Sequence, residues 1–338
     1  MRIRTEFVSQ PSSAGTLFQR EMEARHIPGG TLALLRGGQV CCCEAFGVKD
    51  NTGTPMSEDV LFESASLTKS LFGTLVMRLC QEGRVELDRP IMDVLRDEPW
   101  SNDPRFSNIT PRHCLCHGSG LPNWQARPMD MLFDPGSAYS YSGEGYFLLQ
   151  RMVEQIMGQD LNQLLHGYFL DRLGMTRSTA TWTPAVGQAF SLGFGGDGSI
   201  VKIRDRRRTA GNAPEPCAAW SLYSNSFDMI KFLAYIVRDH GGLEDEVFRE
   251  MATPQNRAGE PVPWGLGWGL CRAEPHVLWH WGDNDGFKSL SILDWETGDG
   301  LCVYTNSDNG FLFWVELGKQ LTDGLFFDDI CSFVRQAE

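Results

Sequence analysis

The chain carries β-type runs at both of its ends, and this pattern limits the possible folds more than any other feature. Each run is short, apolar and bounded by Gly- or Asp-rich turns, which is typical of strands in an antiparallel sheet. The runs lie at residues 31–35, 40–46, 276–281, 287–293 and 301–305. We therefore predict one antiparallel sheet that is built from both termini.

Helical spacing flanks these strands and dominates the middle of the chain. Residues 14–26 and 311–335 predict helices beside the sheet, and residues 145–156 and 160–173 predict helices in the middle. The predicted fold class is α+β, with helices flanking the sheet and a mostly helical insertion. We predict an α/β-sandwich domain from 1–75 with 216–338, a mostly helical domain from 76–215, and an active site in the cleft between them.

The charge of the chain excludes some partners. Acidic residues outnumber basic ones by 43 to 30, and a net charge of -13 disfavours nucleic acid or an anionic membrane as the main ligand. The first residues contain no apolar run that could serve as the core of a signal peptide, so the expected location is cytoplasmic. We expect a small-molecule substrate, no nucleic-acid or membrane partner, and no cofactor or metal; the oligomeric state stays open.

Three patterns resemble binding motifs but lack the expected context. Gly193, Gly195 and Gly198 precede β-type residues rather than a helix, so a hairpin is favoured over a dinucleotide site. The potential zinc ligands between His113 and His117 are adjacent in sequence, and ligands at such tight spacing rarely coordinate one zinc ion tetrahedrally. The basic run of Arg204, Arg206, Arg207 and Arg208 is more typical of a solvated loop than of an anion site.

The tetrad Ser66-Leu67-Thr68-Lys69 carries more chemical meaning. It opens a segment with an apolar face that stops at Gly83, and helical positions i and i+3 share a face, so Lys69 can reach the Ser66 hydroxyl. A lysine can activate a serine if its pKa is lowered by burial or by positive potential. Ser199 and Lys202 repeat the spacing in a β-type segment, where their side chains point to opposite faces.

Several ordered motifs together resemble the serine β-lactamase and penicillin-recognising enzyme superfamily, closest to its class C β-lactamase-like branch with carboxylesterases and D-amino-acid peptidases. The resemblance runs from about residue 27 to 308. Its motifs are Phe62 to Ser70, Gly83 to Asp88 with Pro90, Ile109 to His113, His117 to Pro122, Pro135-Gly136, Tyr139 to Gly143, Gly145-Tyr146 with Leu148-Leu149, Leu173 to Met175 with Ser178, and His280 to Gly282 before Gly286-Phe287.

The resemblance implies catalytic roles for Ser66, Lys69, Tyr141 and His280. It also implies an oxyanion hole formed by the backbone N–H groups of Ser66 and Asp283. Two departures stand out, because Gly143 occupies the place of a usual asparagine and His280 that of a usual lysine. The remaining substrate-binding candidates are Trp124, Trp281 and Gly282.

The function predicted from the sequence is a serine hydrolase that works through an acyl-enzyme on Ser66. Small esters are the leading substrates and amides come next. Peptidoglycan is not expected as a substrate, because a cytoplasmic protein would not meet it. A β-lactamase, a D-aminopeptidase and an acyltransferase of the same fold are the alternatives within the enzyme class. A catalytically idle ligand-binding module is the alternative outside it.

Overall fold

The computed structural model describes residues 1–9, 11–96, 100–202, 216–258 and 262–323, and also residues 327, 330, 331 and 333. The four arginines of the basic run lie outside these residues. The predicted fold class is confirmed, since the chain forms an α+β structure around an antiparallel sheet. No helix in these ranges is long and apolar enough to cross a membrane.

Twelve strands are formed by the described residues, and eight of them make one sheet in the order β2-β1-β12-β11-β10-β9-β8-β7. The strands are β1 Gly29–Arg36, β2 Gln39–Gly47, β3 Phe62–Glu63, β4 Gly193–Phe194, β5 Ile200–Lys202, β6 Tyr223–Ser224, β7 Asn256–Ala258, β8 Val262–Trp264, β9 Gly269–Leu270, β10 Val277–Asn284, β11 Phe287–Asp294 and β12 Asp299–Thr305. The first hairpin of the chain therefore lies in one sheet with its last strands.

Strands from the two ends of the chain are neighbours in this sheet, one strand in from its β2 edge. Strand β1 pairs antiparallel with β12, with Leu32 opposite Val303. Strand β11 is buried along its whole length, so both faces of the sheet are covered there. The glycine-rich hairpin predicted after residue 193 is also present, as strands β4 and β5.

The helices of the described ranges run from five to fifteen residues. They are α1 Thr5–Ser9, α2 Pro11–Ala24, α3 Thr68–Gln81, α4 Pro111–Leu115, α5 Gly143–Met157, α6 Leu161–Leu165, α7 Pro184–Ala189, α8 Ser226–Asp239, α9 Asp245–Met251 and α10 Gly310–Leu321. The helix predicted at 160–173 ends early, because α6 continues into a π-type turn at His166–Leu170. That turn places the adjacent residues Phe169 and Leu170 both in the core.

Alternation along β1 explains how helices cover both faces of the sheet. The Thr31 hydroxyl accepts a hydrogen bond from the backbone of Ser226, at the start of α8. The neighbouring Gly30 faces Phe18 of α2, whose ring meets Phe313 of α10 at 5.0 Å. Successive residues of a strand point to opposite faces, so α8 covers one face while α2 and α10 cover the other.

Candidate active site

Ser66 lies in a short 3-10 turn, Ala65–Leu67, that leads directly into α3. The sequence predicted a helix from Ser66 onward, whereas the regular helix starts two residues later. The turn is held by a hydrogen bond from the backbone of Ser64 to the carbonyl oxygen of Leu222, at 2.8 Å. Ala65 has a φ of 47°, a left-handed conformation that is uncommon for a residue with a Cβ. Such local strain is often found at functional sites.

Lys69 lies one turn after Ser66 and points back to it. Its Nζ is 3.0 Å from the Ser66 Oγ and donates a second hydrogen bond to the carbonyl oxygen of Ala219, at 2.7 Å. The side chain is fully buried, which is rare for a lysine without a carboxylate partner. The contact expected from the i, i+3 spacing is therefore present.

Burial lowers the pKa of Lys69 to about 7. Transfer out of water disfavours the charged form of the amine. Among the described residues, no carboxylate forms a salt bridge with Nζ that would stabilise this charged form. The amine lies instead 4.8 Å from the ring centre of Tyr141 and 5.4 Å from that of Tyr146. Near neutral pH, a large fraction of Lys69 is thus unprotonated and able to accept a proton.

The pKa of Tyr141 is shifted in the opposite direction to that of Lys69. Burial raises the pKa of its phenol, and the neighbouring Ser66 hydroxyl offsets a part of that rise. The phenol oxygen is buried without a well-aligned hydrogen-bond partner among the described residues. The free site therefore combines an uncharged phenol with a partly uncharged lysine, and Lys69 is the better proton acceptor of the two.

His117 holds the segment that carries Tyr141. Its carbonyl oxygen accepts a hydrogen bond from the backbone of Ser140, and its Nδ1 accepts one from the backbone of Ser142, at 3.1 Å. Its ring also lies on that of Tyr141, with centroids 4.2 Å apart. His117 belongs to one of the family motifs and was considered as a zinc ligand, but no local pattern connects it to a residue 24 positions later.

We expect His117→Phe to lower kcat for an ester by at least about tenfold with little change in KM, because the buried backbone N–H of Ser142 would lose its acceptor. Tyr139→Phe is the matched control. Tyr139 touches the same imidazole, but its hydroxyl is buried without a hydrogen-bond partner in the described structure. Steady-state kinetics on both variants tests this role, and equal losses would contradict it.

Strand β10 brings the third sequence motif against the turn that carries Ser66. A Cβ added to Gly282 would lie 2.2 Å from the carbonyl oxygen of Ser64, so only glycine permits this approach. The next residue, Asp283, lines the same pocket as Ser66. The close passage of β10 therefore places Asp283 at the pocket beside the serine.

His280 lies in β10 but does not line the pocket. It is fully buried, and its Nδ1 donates to the carbonyl oxygen of Trp281 at 2.8 Å, which leaves a lone pair on Nε2. Burial, and then the charge of Lys69, lower its pKa to about 3. His280 is therefore neutral near pH 7 and supplies no cation for a substrate carboxylate.

Trp124 explains the glycine at position 143. A Cβ added to Gly143 would lie 2.4 Å from Cζ2 of the Trp124 indole. The backbone of Gly143 donates to the Asn123 side chain at 2.9 Å, which fixes the loop that carries the indole. An aromatic ring thus occupies the space that a longer side chain at position 143 would need.

These residues surround a pocket of about 150 Å³. Six of the residues selected from the sequence line it, whereas His280, Gly143 and Gly282 lie behind its wall. Four further lining residues were missed. The ten lining residues are Ser66, Lys69, Asn123, Trp124, Tyr141, Ala219, Trp220, Trp281, Asp283 and Asn284.

The antiparallel sheet is built from strands near both ends of the chain. Beside it, a buried lysine is hydrogen-bonded to a serine in the turn that leads into a helix. Together these features define a β-lactamase-like protein. The family model described as Beta-lactamase matches residues 15–317, and the chain belongs to that family. This agrees with the resemblance found in the sequence.

Individual relatives are distant. Protein flp of Staphylococcus aureus (strain MW2) is 21% identical over 345 residues, which cover 95% of this chain and 68% of that protein. A D-alanine carboxypeptidase AmpC from Burkholderia cenocepacia has a TM-score of 0.78 at 19% identity, over 92% of this chain and 99% of its own. A D-amino acid amidase from Ochrobactrum anthropi has a TM-score of 0.69 at 24% identity, over 87% and 91%. These two solved structures share its fold.

Proposed function

We propose that this protein is a serine hydrolase that forms an acyl-enzyme on Ser66, with small esters as its leading substrates and amides next. The observation that carries the proposal is the 3.0 Å contact between Ser66 Oγ and a buried lysine whose pKa is about 7. We propose further that the pocket marks the cleft between the two predicted domains. Trp124 and Tyr141 come from the segment 76–215, while Ser66 and Asp283 come from the remainder.

Acylation would begin with the unprotonated amine of Lys69. The amine accepts the proton of the Ser66 hydroxyl while Oγ attacks the substrate carbonyl carbon, and the carbonyl π electrons move to the oxygen. Collapse of this tetrahedral intermediate breaks the bond to the leaving group. The leaving alcohol or amine takes up the proton from Lys69, directly or through the Tyr141 phenol, and the acyl group stays on Ser66.

The developing oxyanion would be bound by the backbone N–H groups of Ser66 and Asp283. Each such donor lowers the barrier by roughly 3 kcal/mol in enzymes where it has been removed. Water then attacks the ester carbonyl of the acyl-enzyme, with Lys69 and Tyr141 again transferring its proton. Release of the acid restores the Ser66 hydroxyl.

The pKa of Lys69 predicts how activity depends on pH. Below about pH 7 the amine is protonated and cannot accept the serine proton, so kcat/KM for p-nitrophenyl acetate should rise with pH through this value. A pH profile of initial rates tests this expectation. Lys49→Met, which changes a lysine bonded to the carbonyl oxygen of Gln188 outside the pocket, should retain the profile. A rate that falls as pH rises through neutrality would contradict the role of Lys69.

The pocket also predicts a preference among substrates. A β-lactam presents an amide and a carboxylate, yet position 143 has no carboxamide to bind the first and His280 is neutral and behind the wall. The missing charge-assisted contact with the carboxylate alone lowers kcat/KM by about one to two decades, so short aryl esters should react faster than nitrocefin. Side-by-side kinetics with p-nitrophenyl esters, nitrocefin and D-aminoacyl anilides tests the ranking. A higher kcat/KM for nitrocefin than for every ester would favour a β-lactamase.

A fluorophosphonate probe separates an enzyme from an idle binding module. Only an activated serine reacts rapidly with the probe, so intact-mass spectrometry should show one adduct, which peptide mapping assigns to Ser66. An unlabelled protein that turns over none of the substrates would support the binding module instead.

A further inference from the structure

The pocket holds an acidic side chain that the proposed chemistry does not use. The proposed chemistry uses only the backbone N–H of Asp283, yet its side chain is 36% exposed and its negative charge contributes to the raised pKa of Tyr141 in the same pocket. Trp281 lies two residues earlier on β10, so both side chains point to the same side of the strand. A carboxylate next to an aromatic ring suits a positively charged group, since ring faces also attract cations.

The counter-ion of Asp283 is shared. Lys288 Nζ lies 2.8 Å from Asp283 Oδ1 and 2.7 Å from Asp308 Oδ1, and it also donates to the carbonyl oxygen of Asn284 at 3.0 Å. One ammonium thus serves two carboxylates, and this group of three side chains keeps a net negative charge. Lys288 is mostly buried, whereas the two carboxylates are about one-third exposed, so the uncompensated charge faces solvent and the pocket.

The other described residues of the pocket do not offset this charge with a fixed cation. Asp283 is the only carboxylate among them, and Lys69 is the only amine. Burial holds Lys69 partly uncharged, and the remaining members are a serine, a tyrosine, an alanine, two asparagines and three tryptophans. Within the described lining, the end of the pocket at Asp283 therefore attracts cations and repels anions.

We propose that the Asp283 carboxylate binds a substrate ammonium group, so that the preferred substrates are esters or amides of amino acids with a free amino group. This inference rests on the proposed acylation of Ser66. Because the backbone N–H of Asp283 is proposed to bind the oxyanion, its side chain can reach only groups close to the reacting carbonyl. An amino group on the acyl part, one or two bonds from that carbonyl, meets this requirement.

The test uses three benzyl esters that differ in the charge next to the reacting carbonyl, with each rate divided by the rate of hydrolysis in buffer to correct for intrinsic reactivity. Glycine, propionate and hydrogen malonate carry an ammonium, a methyl or a carboxylate on the same methylene group. We expect kcat/KM at neutral pH, followed by acid release, to fall in that order, with glycine ahead of propionate by about tenfold or more. A ratio of glycine to propionate near one, or a preference for malonate, would overturn the inference.

Two isosteric variants assign the effect to Asp283. Asp283→Asn should lower the ratio of glycine to propionate by about tenfold, toward the ratio of their hydrolysis rates in buffer, because it removes the charge and leaves the backbone N–H in place. Lys288→Met should raise the ratio, because it removes the counter-ion from Asp283. General destabilisation would not move the ratio in opposite directions for two residues in contact. An unchanged ratio in Asp283→Asn would show that another group binds the ammonium.

The proposed function and this inference fail in different ways. Suppose that Ser66 reacts with the fluorophosphonate and the propionate ester is hydrolysed, but the ratio of glycine to propionate is the same in both variants as in the unaltered protein. Only the role of Asp283 is then contradicted. If Ser66 remains unlabelled and none of the three esters is hydrolysed, the proposed function is lost together with the inference.

Discussion

Ser66→Ala should abolish ester turnover, by at least about 10³-fold in kcat, while the protein remains folded. The hydroxyl is the only attachment point for an acyl group in the proposed reaction, and its removal leaves a small apolar side chain at the pocket surface. Hydrolysis of p-nitrophenyl acetate, corrected for the reaction in buffer, measures the loss. Circular dichroism and thermal unfolding show whether the fold is retained.

Ser199→Ala is the matched control, because Ser199 begins the second Ser-x-x-Lys tetrad. It lies in the exposed turn between β4 and β5 rather than in the pocket, so this variant should keep full activity and full labelling by the fluorophosphonate. A probe adduct on Ser119, Ser142 or Ser199 in the unaltered protein would assign the nucleophile to another serine.

Lys69→Met and Tyr141→Phe should each lower kcat by at least about 10²-fold with small effects on KM. Both side chains adjoin Ser66, and both are proposed to handle the same proton during the transition state. The double variant should therefore be far less impaired than the product of the two single losses. Kinetics on all four proteins of this cycle measures the coupling.

Fully multiplicative losses in the double variant would mean that Lys69 and Tyr141 act independently. Tyr146→Phe serves as the control for the ring contacts of Lys69, because Tyr146 lies 5.4 Å from the same amine but donates its hydroxyl proton to the carbonyl oxygen of Leu115. That variant loses a hydrogen bond outside the proton path. A loss in Tyr146→Phe as large as in Tyr141→Phe would point to packing instead of proton transfer.

Much of the fold could be predicted because it depends on local patterns. Apolar runs separated by glycine-rich turns gave β1, β2 and the three last strands within a few residues of their bounds. Helical spacing also predicted the contact of Lys69 with Ser66, although the serine lies in a 3-10 turn before α3. The early end of α6 comes from a π-type turn that periodicity does not reveal.

The rest of the site depends on contacts between distant segments. The carbonyl oxygen that binds Lys69 belongs to Ala219, 150 residues later, and no repeat or motif joins the two. The charge state of His280 is likewise set by burial beneath Trp264 and Trp281, which its neighbours in sequence do not predict. The sequence shows Gly143 as a departure from the family pattern. It does not show that the Trp124 indole fills the space beside this glycine.

The burial of Lys69 also links the catalytic site to the unfolding equilibrium of the protein. Unfolding returns the amine to water, where its pKa is 10.5 instead of about 7. Between these values the unfolded chain binds a proton that the folded chain does not, so the free energy of unfolding increases with pH across this interval. Below about pH 7 the folded state carries the full penalty, on the order of 5 kcal/mol. At neutral pH about half of the Lys69 amines can accept a proton. At the same pH, the burial that keeps this lysine reactive also lowers the free energy of unfolding of the protein.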